Sequence, residues 1–441
     1  MPSATVEPVD LLIFARWIVP IVPAEQLLHD HAVAIRAGRI VALVPAAQAR
    51  ALTATHTVEL PNHLLMPGLI NAHGHAPMTL LRGFADDHPL QIWLNEHIWP
   101  VEGRWVSEEF VRDGAELAIA EMLRSGTTTF ADMYFFPNVI AQAAQDIGMR
   151  AQLLCPVFDF PTAWGSDAGD YIHKALQLRD DFKHSEVITV GLGPHAPYTV
   201  SDEPMQKVAM YAAELDASIQ IHLHETQQEV DESLAKYGER PIARLQRLGL
   251  LGPRTMCVHA TALDDDDIAT LKRNNCHVVH CPESNLKLAS GFAPVQKLRD
   301  AGINVAVGTD GAASNNDLDL FSELRTAALL AKAVAGDAAA LPAFAALEMA
   351  TIAGARALGL EDNIGSLEAG KLADIIAIDC DDIEMQPLYH PVSQLVYSNT
   401  GSRVTHAWVG GNLLLENRQP TTINLHDLKA RVLNWQEKIS Q

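Results

Sequence analysis

Met66-Pro-Gly-Leu-Ile-Asn-Ala-His-Gly-His75 is an apolar run that ends in two histidines one residue apart. Residues i and i+2 of a strand project to the same side, so His73 and His75 can leave one strand end together and share a metal ion. Gly74 between them carries no side chain and lets the backbone pass close to such an ion. One His-x-His among 19 histidines is weak evidence. Its weight comes from recurrence, because apolar strands further along end in His195, in His222 with Glu225, in His259 and in Asp310. A strand of valine and isoleucine has no packing reason to finish repeatedly on an imidazole or a carboxylate. Three histidines and an aspartate supply enough ligands for a zinc ion that keeps a position open for water, whose pKa the ion lowers to about 7. His222 and His224 also stand two apart, and spacing leaves open which of them meets a metal. His277 and His280 read as packing or loop residues.

The elements that must position these groups alternate. From Leu64 onward, apolar strands at 69–75, 127–132, 152–158, 187–195, 219–225, 255–261, 278–282 and 305–310 are separated by helical stretches such as 108–125, 139–147, 203–215, 268–274 and 294–301. Eight β-α units over about 300 residues predict a closed (β/α)8 barrel, whose sites sit at the C-terminal ends of its strands. Before the barrel, segments 11–14, 31–35 and 39–43 read as strands, the last two joined by a turn at Ala37-Gly-Arg39 into a hairpin. After it, helices at 319–333 and 340–358 lead to a turn-rich stretch at 365–371 and a strand at 373–378. A second hairpin follows at 404–409 and 412–415 around Gly410-Gly411. The expected fold class is therefore α/β: a TIM-like barrel of the metal-dependent hydrolase type over residues 66–364. Beside it stands a small β-sandwich built from both chain ends, residues 1–65 and residues 365–441, the latter with a terminal helix.

Composition narrows the function. The chain has 441 residues, 48% hydrophobic and 20% charged, with 32 Lys+Arg against 54 Asp+Glu and a net charge of −22. Such a balance lacks the basic footprint that nucleic acid requires and serves a surface that repels its own copies. The five cysteines form no C-x-x-C pair and no complete disulfide framework, which points to a reducing cytoplasm. The apolar stretch 11–22 is interrupted by Arg16 and Pro20, so it reads as neither a signal peptide nor a membrane span.

Taken together, Pro67-Gly-Leu-Ile-Asn-Ala-His-Gly-His75, His222-Leu-His-Glu225, Cys257-Val-His259 and Gly308-Thr-Asp-Gly311 resemble the amidohydrolase superfamily. Within it, Gly193-Pro-His-Ala-Pro-Tyr198, His280-Cys-Pro-Glu-Ser-Asn-Leu-Lys-Leu288 and Gly308-Thr-Asp-Gly-Ala-Ala-Ser-Asn-Asn316 are similar to the methylthioadenosine/S-adenosylhomocysteine deaminases. The likeness runs from the N-terminal strands to Gly365-Ser-Leu-Glu-Ala-Gly-Lys-Leu-Ala-Asp374. It implies one Zn2+ per subunit held by His73, His75, His222 and Asp310, with His222 chosen over His224 by the family pattern His-x-x-Glu. It further implies Glu225 as proton shuttle, His259 beside the reacting water, Glu102 on the ribose hydroxyls and His195 facing the purine. Trp93, read as lying in the same loop as Glu102, is expected to cover the substrate. No lysine ends the fourth strand, which disfavours a binuclear site bridged by a carbamylated lysine.

The activity so implied is hydrolytic deamination of an adenine nucleoside to its inosine analogue and ammonia, by a cytoplasmic homo-oligomer, dimer or tetramer, with no nucleic acid or membrane partner. Deamination of guanine, oxidised guanine or cytosine on the same scaffold is the alternative. A barrel that has lost catalysis and serves as an assembly protein is a remote one, since it predicts missing ligands. Where some relatives place arginines for the charged tail of S-adenosylhomocysteine, Leu154-Cys-Pro-Val-Phe-Asp-Phe-Pro-Thr-Ala-Trp-Gly165 offers none; Cys155 stands at one such place. Phe158, Phe160 and Trp164 make the loop apolar and favour a methylthio group, with adenosine weaker and S-adenosylhomocysteine weaker still. Arg179 or a residue of a neighbouring subunit is the remaining source of a cation for that tail.

Overall fold

The computed structural model describes residues 8–398 and 400–441; the first seven residues of the N-terminal segment lie outside the described residues. Eight parallel strands follow one another in sequence order: β5 (Leu69–Asn71), β6 (Thr127–Asp132), β7 (Arg150–Val157), β8 (Ile188–Pro194), β9 (Ile219–Leu223), β10 (Thr255–His259), β11 (His277–His280) and β12 (Val305–Val307). Closure comes from the bond of Ala72 N–H to Val307 O at 3.0 Å and from a parallel bridge between Gly74 and Asp310. The first and last site segments are thus stitched together by backbone.

The strands are shorter than the sequence pattern predicts. β5 stops at Asn71, β9 at Leu223 and β12 at Val307, so His73, His75, Glu225 and Asp310 lie just past the ladders. Non-glycine residues take left-handed backbone there: His224 (φ 51°), His259 (φ 73°), Ala260 (φ 51°) and Asp310 (φ 61°). Such conformations cost about 1–3 kcal/mol each and persist where surrounding structure imposes them. Here they redirect the chain at the strand ends, where His259 and Asp310 line the central cavity while His224 turns away from it. Close packing of backbone on backbone at the strand ends falls on Gly308. A Cβ on Gly74 would touch nothing closer than 3.5 Å, whereas one on Gly308 would sit 2.7 Å from the backbone of His73.

A second eight-stranded sheet gathers β1 (Val9–Ile18), β2 (Leu28–Arg36), β3 (Arg39–Pro45), β4 (Ala54–Pro67), β13 (Ile375–Asp379), β14 (Val404–Val409), β15 (Asn412–Glu416) and β16 (Gln419–Pro420). The two chain ends meet where β4 pairs antiparallel with β13, Met66 opposite Ile376. Because β4 runs almost directly into β5, this sheet anchors the strand that delivers His73 and His75. The buried Arg150–Asp374 pair, 3.0 Å apart, ties β7 to the stretch entering β13.

Helix Glu108–Arg124 begins at Ser107, whose hydroxyl accepts the Phe110 N–H, with acids in its first turn and Arg124 in its last. Its apolar stripe of Phe110, Val111, Ala115, Ile119 and Met122 is buried. The terminal helix Leu425–Ile439 docks on it through Trp435, whose ring stands 5.3 Å from Phe110 and whose indole N–H donates to Asp113.

Two helical expectations change. The stretch 340–358 is not one helix but two, Ala343–Met349 and Ile352–Leu358, broken at Thr351 (φ −131°, ψ −102°). The break frees the Ala350 carbonyl to accept the Ile70 N–H of β5 at 2.8 Å. Conversely, the stretch carrying Trp93 and Glu102 is no loop: Leu90–Ile92, a π-helical turn Trp93–Ile98 and Trp99–Trp105 form one bent helical cover. Leu90, Trp93, Leu94, Ile98 and Val101 recur at helical spacing and are buried over the barrel mouth. Among the described residues no helix is long and apolar enough to cross a membrane.

Candidate active site

At the C-terminal mouth of the barrel, Nε2 of His73 and of His75 lie 3.4 and 3.2 Å from Oδ1 of Asp310. Nε2 of His222 lies 3.3 Å from Nε2 of His73. Each ring is oriented through its other nitrogen. Nδ1 of His73 donates to Gln220 Oε1 at 2.7 Å, that of His75 to the Met133 carbonyl at 2.5 Å and that of His222 to the His195 carbonyl at 2.8 Å. With Nδ1 carrying the proton, the Nε2 lone pairs of His73 and His222 face each other, which is repulsive unless a cation lies between them. Ligands about 2.0–2.1 Å from a tetrahedral zinc ion stand about 3.3–3.4 Å from one another. Three separations match that spacing, and the possible ligand atoms fall into two clusters that share His73, one with His75 and Asp310 and one with His222 and His259, each within 4.8 Å.

Electrostatics follow from burial. His73 is pushed down to about 4 by desolvation and by neighbouring imidazoles, and His222 lies well below its ordinary value for the same reasons. Burial opposes protonation of His75 too, but the Asp310 carboxylate beside it wins and lifts the ring to about 9. Asp310 itself is held well below the usual carboxylate range by His73 and His75 in spite of its burial. Its second oxygen accepts from the hydroxyls of Ser284 at 2.6 Å and Ser314 at 2.9 Å, so only Oδ1 faces the histidines.

Around this centre stand the other candidates. Glu225 is raised to about 8 by burial and by the charge of Asp310. Its Oε2 lies 3.8 Å from Nε2 of His259, whose Nδ1 is paired with Asn285 Oδ1 at 2.8 Å. The Glu225 backbone is fixed by Glu229, whose carboxylate accepts the N–H groups of His224 and Glu225 at 2.9 Å each. Glu102 is buried, raised to about 7 by desolvation, and accepts the Tyr134 hydroxyl at 2.6 Å. His195 is pushed down to about 3 by burial and the surrounding imidazoles; Nδ1 sits 3.1 Å from Thr199 Oγ1 and the ring 4.8 Å from that of Phe158.

His75, Trp93, Glu102, His195, His222, Glu225, His259 and Asp310 therefore line one cavity, closed by Leu94, Trp99, Phe135 and Phe158. Trp93 is only 5% exposed, so it is both core and wall. His224 points elsewhere: Nδ1 donates to the Ala262 carbonyl and Nε2 accepts the Ile242 N–H. His277 binds the Pro253 carbonyl and Asn304, and His280 is buried with neither ring nitrogen hydrogen-bonded among the described residues. Arg179 is not a source of charge for this cavity, because its guanidinium is spent on the carbonyls of Val190 and Leu215.

The sequence reading missed Gln220, Tyr134, Glu229 and the Ser284–Asn285–Ser314 set. Gln220 had a signal, since it precedes His222 by two on β9 and so shares its face. Nothing local marks Tyr134.

A closed parallel barrel presenting imidazoles and carboxylates at its C-terminal mouth is the architecture of a barrel hydrolase. The model of the amidohydrolase family matches residues 64–414. A 5-methylthioadenosine/S-adenosylhomocysteine deaminase of Teredinibacter turnerae is 55% identical over 98% of each chain. One from Saccharophagus degradans is 54% identical over 98% of this chain and 97% of that one. An adenosine deaminase from Xanthomonas campestris, solved with bound zinc, superposes with a TM-score of 0.97 at 50% identity, covering 98% of this chain and 99% of the other. The chain belongs to the amidohydrolase family, and it is a hydrolase of carbon–nitrogen bonds other than peptide bonds.

Proposed function

We propose that the chain is a zinc-dependent deaminase of adenine nucleosides that prefers 5′-methylthioadenosine. The observation that carries this reading is one cavity whose wall holds His75, His222 and Asp310, with the buried His73 behind them, Glu225 beside them and Glu102 facing the same space. His73, His75, His222 and Asp310 would hold the zinc ion, which when bound lowers the pKa of water to about 7. Asp310 and His259 orient the attacking water, and Asp310 accepts its proton. Glu225, raised toward neutrality by burial, protonates the ring nitrogen next to the carbon that carries the amine. A second proton transfer through the same carboxyl lets ammonia leave, and adenine becomes hypoxanthine. His195 faces the purine and Trp93 keeps bulk water out.

Glu102 favours a nucleoside over a free base, since a carboxylate can accept both hydroxyls of a ribose diol. That favours an adenine nucleoside over guanine, oxidised guanine or cytosine as the substrate. The far end of the cavity favours methylthioadenosine. A chamber lined by Trp99, Val106, Phe135, Phe158, Phe160, Pro161, Thr162 and Ala163 adjoins Glu102 and contains no lysine or arginine among the described residues. An amino-acid tail would enter it without a partner for its carboxylate, whereas a thioether gains about 0.3–1.5 kcal/mol per aromatic contact. Ultraviolet assays of methylthioadenosine, adenosine, S-adenosylhomocysteine, guanine and cytosine test both parts. The expected order of kcat/KM is methylthioadenosine, adenosine, S-adenosylhomocysteine, with no turnover of guanine or cytosine. Equal efficiency on S-adenosylhomocysteine would overturn the apolar-chamber reading, and turnover of free bases alone would overturn the nucleoside reading. A cytoplasmic homo-oligomer completes the proposal, supported by five unpaired cysteines and by exposed Phe292, Ile383 and Tyr389.

A further inference from the structure

We propose that Tyr134 is a positioning residue: its hydroxyl sets which oxygen of Glu102 meets the substrate and holds the ribose end of the cavity in register with the metal end. This rests on the reading of Glu102 as the ribose acceptor. Glu102 comes from the helical cover, outside the barrel, and the cover approaches the barrel mouth mainly through apolar contacts, which have no direction. Tyr134 comes from the barrel, two residues past the end of β6. Their hydrogen bond, 2.6 Å, is the only one made by the Glu102 side chain among the described residues, and both residues are more than nine-tenths buried, at 8% and 5% exposure.

Tyr134 is itself fixed to the metal end. Immediately before it, Met133 donates its N–H to the Gly74 carbonyl at 3.0 Å and accepts Nδ1–H of His75 at 2.5 Å. One residue earlier, Asp132 accepts the Ala76 N–H. Asp132, Met133 and Tyr134 therefore pin, in succession, the backbone after His75, the ring of His75 and the carboxylate of Glu102. A carboxylate has about four acceptor sites. With the phenol on Oε1, Oε2 is left whole for the two hydroxyls of a cis-diol. Without the phenol, Glu102 keeps no hydrogen bond among the described residues, in a wall of Trp93, Leu94, Trp99 and Phe135, so its rotamer is less defined and its ionised form is left with the more distant charge of His75 alone.

Tyr134→Phe removes the hydroxyl and keeps the ring contact with Phe135. It is compared with wild type, with Glu102→Ala and with the double variant. Substrates are 5′-methylthioadenosine and its 2′,3′-dideoxy analogue, and bound zinc is measured in every protein. Expected for Tyr134→Phe is a KM for the diol-bearing nucleoside raised about tenfold, the low end for a hydrogen bond to a charged group. The loss falls on KM rather than kcat, the KM for the dideoxy analogue stays at the wild-type value and zinc content is full. Adding Tyr134→Phe to Glu102→Ala should change nothing further, because a residue that acts through another has no effect once that other is gone. Fully additive effects, or an equal loss on both substrates, would overturn the proposal. If Glu102→Ala itself fails to distinguish the two substrates, the ribose reading of Glu102 fails; if it distinguishes them and Tyr134→Phe behaves as wild type, only the role of Tyr134 fails.

Discussion

Replacing Gln220 by Met probes whether the orientation of His73 governs metal affinity. Gln220 is fully buried; its Oε1 accepts Nδ1–H of His73 at 2.7 Å and its Nε2 donates to the Ala72 carbonyl at 2.9 Å. Methionine keeps the length and unbranched shape of glutamine but offers only a weak sulfur acceptor. Two buried groups then lose a partner, at about 1–3 kcal/mol each, so the metal-free protein should lose about 2–6 kcal/mol of stability. The second consequence is specific to the site. His73 can then turn or carry its proton on Nε2, and loss of such an outer partner typically weakens a metal site about 10–100-fold, or about 1.4–2.8 kcal/mol. Zinc affinity is read by competition with a chromogenic chelator, and kcat is measured with and without excess zinc. The expected result is weakened affinity together with activity that excess zinc restores, since neither Glu225 nor Glu102 touches Gln220. Unchanged affinity in a folded variant would refute the claim that this hydrogen bond presents the Nε2 lone pair to the ion.

Glu225→Gln is expected to retain zinc and fold, because its backbone stays held by Glu229, while kcat falls about 10²–10⁴-fold for want of a proton shuttle; near-normal turnover would remove Glu225 from that role. A pH dependence of stability follows from His195 and His280, both pushed down to about 3 by burial against about 6.5 in an unfolded chain. Below pH about 6.5 these two rings bind protons in the unfolded chain that the folded one refuses, so their contribution to stability falls as the pH drops from about 6.5 toward about 3, opposite in sign to that of the raised Glu225 and Glu102. Urea midpoints of wild type and His280→Leu measured from pH 7.5 to 4.5 should diverge as the pH falls, with wild type the more penalised by acid, whereas parallel profiles would contradict the assignment.

Much of this protein can be read without coordinates. The alternation of apolar strands and helices from Leu64 to Asp310 is a local periodicity, set by which side of each element must leave water, and it predicts the barrel and the end of it that carries the site. His73, His75, His222, His259, Glu225 and Asp310 are legible because a polar group closing an apolar strand has no packing role. Tertiary structure decided the rest, and for one reason: local spacing records the direction of a side chain relative to its own strand, not what stands opposite. On spacing alone His222 and His224 were equivalent, and only the turn at His224, with φ of 51°, sends one ring to the centre and the other to Ala262 and Ile242. Arg179 was an available cation until its carbonyl partners were seen. Trp93 and Glu102 read as a loop although the buried residues from Leu90 to Val101 keep helical spacing, and only the structure shows the π-helical turn Trp93–Ile98 that joins the pieces of the cover. Tyr134 meets Glu102 across 32 residues of chain, in a contact that exists only once the cover has folded onto a closed barrel.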